Sequence, residues 1–72
     1  MFQIEYKKDS QTVNLIGKLD SSSSTKAKDV LDTIEDSITI DMNELNFICS
    51  TGLGILVKTY SRLKKMGKMF IW

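Results

Sequence analysis

Histidine and proline are absent from this 72-residue sequence, and cysteine occurs once. Without histidine neither a Ser-His nor a Cys-His catalytic pair can form, and one thiol cannot assemble the usual zinc-ligand sets or close an internal disulfide. No stretch approaches the roughly eighteen consecutive apolar residues of a membrane-crossing helix. The N-terminus Met1-Phe2-Gln3-Ile4-Glu5-Tyr6 alternates instead of supplying the apolar core of a signal peptide. A cytoplasmic protein is expected, without membrane insertion, metal, cofactor or catalytic residues. Charge of one sign is also scarce: ten basic against nine acidic residues leave a formal charge of +1. That balance gives no global field toward nucleic acid, so no direct nucleic-acid partner is expected.

What is present fits one small globular domain over residues 1–72, with 42% hydrophobic and 26% charged residues. At this size folding buries only about 60% of the surface of the unfolded chain, so the core is marginal and self-association is expected. The charges are unevenly placed. Asp29, Asp32, Glu35, Asp36, Asp41 and Glu44 occupy the middle, and Lys58, Arg62, Lys64, Lys65 and Lys68 crowd the last quarter. Both clusters read first as solvated helix and loop surface.

Phe2, Ile4 and Tyr6 alternate with polar residues and predict a strand; Asp9-Ser10 supplies a turn, and Thr12 to Ile16 predicts a second strand in an antiparallel hairpin. After Gly17-Lys18-Leu19-Asp20, the run Ser21-Ser22-Ser23-Ser24-Thr25 offers hydroxyls to cap a helix. Ala27, Val30, Leu31 and Ile34 then recur at helical spacing. Ile38, Ile40 and Met42 predict a third strand, with Leu45 and Phe47-Ile48 leading onward. A second helix is expected to start at Ser50 or Thr51, burying Leu53, Leu56, Val57, Tyr60 and Leu63 and ending at Gly67. Met69 to Trp72 reads as a fourth, buried strand.

This order, β-β-α-β-α-β, contains two crossover units whose strands run parallel. The expected fold is α/β: a mixed sheet of about four strands with two helices packed on it. The junction at residues 49–54 is the most informative part, because a hydroxyl at the start of a helix meets free backbone amides and the positive end of the helix dipole. A phosphate on Ser50 would be well placed there, and Gly52 and Gly54 would let another chain approach the backbone. Two rival patterns fail. A dinucleotide fingerprint would need its third glycine where Val57 stands, and a cysteine phosphatase would need arginine six positions after Cys49, where Ile55 stands.

Phe47-Ile48 followed by Ser50-Thr51-Gly52-Leu53-Gly54 resembles the signature of the STAS domain, the family of anti-sigma factor antagonists, and Gly17-Lys18-Leu19-Asp20 resembles the element that closes its second strand. Cys49 stands where the family pattern has Asp. The resemblance implies a non-enzymatic binding module whose serine, here Ser50, is phosphorylated by a partner that is both anti-sigma factor and serine kinase, and is reset by a phosphatase. It places Cys49, Ser50, Thr51, Gly52, Leu53, Gly54, Asp20 and Lys58 at the partner surface. The alternative within the superfamily is a constitutive contact subunit, for example of a lipid-transport ATPase complex. The family's domain continues with further C-terminal elements that this chain lacks. A homodimer through the uncovered C-terminal strand region is therefore expected.

Overall fold

The computed structural model describes residues 1–72. β1 (Phe2–Lys7) and β2 (Thr12–Leu19) form the antiparallel hairpin, with Phe2 opposite Gly17 and Lys7 opposite Thr12. α1 (Ser24–Leu31), β3 (Ile38–Ile48), α2 (Ser50–Lys65) and β4 (Phe70–Ile71) follow. The sheet order is β1-β2-β3-β4, and β3 runs parallel to both β2 and β4. Mixed sheet, strand number and element order are those the sequence predicts.

Both crossovers step the same way across the sheet, and right-handed crossovers of that kind place both helices on one face. α1 and α2 pack against each other there. Val13, Leu15 and Leu19 of β2 meet Ala27 and Leu31 of α1 and Leu56 and Leu63 of α2, while Phe2 and Phe70 close the two edges. Fully burying one such side chain contributes roughly 1.5–3 kcal/mol, so this apolar layer dominates stability. The other sheet face carries Glu5, Lys7, Asn14 and Asp41 and has no helix over it. No helix is long and apolar enough to cross a membrane.

Four details depart from the expectations. β3 is a single strand of 11 residues, because register shifts against β2 between Asn14 and Ile16 and between Gly17 and Lys18 absorb two extra residues. Each bulge flips the alternation, so Met42, Leu45 and Ile48 all pack toward the core although they are three apart, and Phe47 is left half exposed. α1 stops at Leu31, and buried Ile34 belongs to the turn that follows.

On α2 the buried line is Gly52, Leu56, Thr59 and Leu63, whereas Leu53 and Val57 remain 47% and 46% exposed. Two stripes of equal regularity compete on this helix. The one with small residues wins because it lets α2 approach the sheet closely. Finally, β4 has only two residues: Phe70 is buried, but Trp72 is half exposed, stacked on Tyr60 at a ring separation of 6.4 Å. The helix stop is as expected. Gly67 has φ +75°, and the Gly67 and Lys68 amides donate to Lys64 and Leu63 carbonyls at 3.0 and 2.8 Å.

Candidate functional site

β2 and β3 end side by side, and both helices start from that end of the sheet. The Cys49 amide donates to the Leu19 carbonyl at 2.9 Å, which ties the entry of α2 to the Asp20 loop. In that loop the Asp20 carboxylate accepts from the Ser22 hydroxyl at 2.8 Å and from the Ser23 amide at 3.0 Å. Those bonds, the Ser22 hydroxyl first, hold its pKa below the usual carboxylate value. The Ser23 hydroxyl lies 3.0 Å from the Lys18 carbonyl and 3.0 Å from the Asp20 carboxylate, and buried Ser24 donates to the Asp20 carbonyl at 2.7 Å. The serine run is therefore an ordered loop that brings Asp20 beside the Cys49-Ser50 junction.

Ser50 is the first residue of α2 and is exposed. Its own amide and that of Thr51 donate to no protein acceptor, whereas the Leu53 amide reaches the Cys49 carbonyl at 2.9 Å. The junction thus presents two free donors and a free hydroxyl to solvent. The N-cap is Cys49, in extended conformation, and its Sγ accepts from the Gly52 amide at 3.4 Å. The resemblance places Cys49 at the partner surface, and the structure adds this capping role. Its position just before the first helical residue, where a carboxylate would cap strongly, was the available signal. Sulfur is a weak acceptor, so the cap holds the helix start loosely.

The other partner-surface candidates divide. Thr51, Leu53 and Gly54 are accessible with Ser50, and Lys58 lies two turns along α2. Gly52 corrects the expectation of an open glycine pair. It is buried, and a Cβ on it would stand 2.7 Å from Leu19 Cγ, so the chain that approaches its backbone is this one. Thr51, Gly54 and Lys58 line a groove of about 500 Å3 between the helices. Lys28 and Asp32 pair at 2.7 Å on its rim, which raises the lysine pKa and lowers that of the aspartate, the hydrogen bond being the main cause in each. This i,i+4 pair is exposed and contributes little.

Arg62 has a role the sequence did not disclose. Its guanidinium donates to the Ile34 carbonyl at 2.9 Å and the Leu31 carbonyl at 2.8 Å, closing the C-terminal end of α1. It is therefore a structural clamp between the helices and not a free cation beside the docking surface.

A family model of the STAS domain matches residues 2–71. The chain belongs to the STAS domain family. Among solved structures, this STAS chain is similar to the anti-sigma factor antagonist SpoIIAA in its unphosphorylated form, with TM-score 0.75 and 21% identity over 97% of this chain and 69% of that one. It is also similar to the Bacillus cell fate determinant SpoIIAA in the phosphorylated form, with TM-score 0.78 and 22% identity over 100% of this chain and 70% of that one. At these identities the likeness establishes the STAS fold. No curated protein sequence matches the chain.

Proposed function

We propose that this STAS chain is a regulatory binding module of the anti-sigma factor antagonist kind, controlled by phosphorylation of Ser50 and without catalytic activity of its own. The partner is an anti-sigma factor that is also a serine kinase, and a phosphatase restores the hydroxyl. One observation carries the proposal: Ser50 is exposed at the first position of α2, between two amides that have no acceptor. A phosphate there adds roughly −1.5 to −2 charge at the positive end of the helix, so it strengthens the helix and must switch binding at the interface. A partner packed over Thr51, Leu53 and Gly54 would have to desolvate that dianion, which disfavours the complex.

Ser50→Ala is expected to bind the purified anti-sigma factor of the source cell as the unmodified chain does, and Ser50→Asp roughly 100-fold more weakly, about 2.7 kcal/mol. Titration calorimetry checks this. Equal affinities would remove the switch and favour the constitutive contact module.

The dimer belongs to the same proposal. β4 is a two-residue edge strand, and its Ile71 and the following Trp72 are half exposed. A second copy would cover them. Sedimentation at micromolar concentration is expected to give a dimer, and a monomer there would refute it.

A further inference from the structure

The groove between α1 and α2 holds more positive charge than the chain as a whole. Lys28, Lys58 and Arg62 line it against one carboxylate, Asp32, so three cations less one anion leave +2 there, while the entire chain carries +1. The remainder of the molecule is net acidic. A small anion is therefore steered toward this groove, whose walls concentrate a field of one sign.

The three cations are committed to different degrees. Lys28 pairs with Asp32 at 2.7 Å, the one salt bridge of the molecule, which leaves Lys58 without an acidic partner. Arg62 donates to the Leu31 and Ile34 carbonyls, which are neutral acceptors and do not cancel its charge. Two uncompensated cations thus face one groove. That matches a phosphate monoester, which carries roughly −1.5 to −2 charge near neutral pH.

Size and walls describe the rest of the ligand. About 500 Å3 falls within the usual range of small-molecule sites and is far more than a bare phosphate ion fills. Ile55 and the stems of Lys28, Lys58 and Arg62 provide aliphatic walls, and Thr51 adds a hydroxyl at the side. Gly54 lines the same space, and no heavy atom lies within 4 Å of the place its Cβ would take. Gly54→Ala is accordingly expected to melt about 4–8 °C higher, because the added methyl favours the helix and meets nothing.

We propose that this groove binds a small phosphorylated polyol such as a sugar phosphate, its phosphate lying between Lys58 and Arg62. Asp32 opposes the phosphate by its charge and accepts a hydrogen bond from a hydroxyl of the ligand body. Ser50 does not line the groove, so the site stands apart from the switch proposed above.

Titration of the isotope-labelled chain at low ionic strength, followed by amide chemical shifts, tests this with glucose-6-phosphate, glucose and inorganic phosphate as probes. Glucose-6-phosphate is expected to shift the amides of Lys28, Thr51, Gly54 and Lys58 to saturation with a Kd of about 1 mM or tighter. Inorganic phosphate should bind at least about fivefold more weakly, and glucose should shift nothing. Lys58→Gln should weaken glucose-6-phosphate about tenfold, whereas Asp32→Asn, which removes the repulsion and keeps an acceptor, should tighten it about threefold. Loss of fold would not move the two variants in opposite directions. Affinity within a factor of about 1.5 of the natural chain in either variant would overturn the site. Shifts confined to Ser50 and Thr51 would place the anion at the helix end, and shifts spread over Lys64, Lys65 and Lys68 would show a diffuse ion atmosphere; either would overturn it as well. Inorganic phosphate binding as tightly as glucose-6-phosphate would overturn the polyol body of the ligand.

Discussion

Arg62→Ala is expected to lower the melting temperature by about 10–20 °C, a large effect for a residue in the middle of a basic run. The guanidinium holds two carbonyls, of Leu31 and Ile34, at 2.8 and 2.9 Å, where α1 ends and turns toward β3. Hydrogen bonds from a charged donor contribute about 1.5–3 kcal/mol each when shielded. These are partly buried, so together they are worth about 2–3 kcal/mol. A domain of this length has a total stability of only about 4–11 kcal/mol, and each kcal/mol shifts melting by roughly 4–8 °C. Arg62→Lys should recover less than half of the loss, because a single ammonium cannot reproduce the planar two-donor fork. Circular dichroism melts of the three proteins check this. An alanine variant melting within 3 °C of the natural chain would mean that the clamp adds no net stability.

Gly52→Ala is expected to melt roughly 5–15 °C lower, opposite in sign to the same change at Gly54. The new methyl carbon would lie 2.7 Å from Leu19 Cγ, 3.0 Å from Leu19 Cδ2 and 3.3 Å from the Leu19 carbonyl oxygen. Leu19 is fully buried and cannot turn away without opening the core. Overpacking of this kind costs about 1–3 kcal/mol, and the backbone contact sets the upper end, so it exceeds the gain of about 1 kcal/mol in helix propensity. Urea unfolding of the two alanine variants side by side gives the comparison. A stabilised Gly52→Ala would show that α2 does not sit against Leu19 as described.

The parts of the fold legible in the sequence were those in which one periodicity ran unbroken. Phe2-Ile4-Tyr6 and Ile38-Ile40-Met42 alternate cleanly and became strands, and the turn of handedness at Gly67 was readable from the residue alone. Ser50 as the opening residue of α2 followed from the hydroxyl pair after an apolar run. The illegible parts depended on contacts between distant residues. Leu53-Val57 and Gly52-Leu56 are equally good helical stripes, and only the fit of Gly52 against Leu19 chooses between them. Arg62 looked like any surface cation because its acceptors are carbonyls 28 and 31 residues away. Cys49 as a cap was hidden by its chemistry, since a sulfur acceptor is not among the residues that usually announce a helix.

The two bulges of β3 also bear on how this strand tolerates changes of length. Loss of one residue from Ile38–Met42 would turn every following side chain over and point the core set at water. Loss of Asn43 or Asn46, the surplus residues at the two irregularities, would restore plain alternation and leave Leu45 and Ile48 facing inward. Gaps between related sequences should therefore gather at those two asparagines, which mark where the strand can shorten without losing its lining.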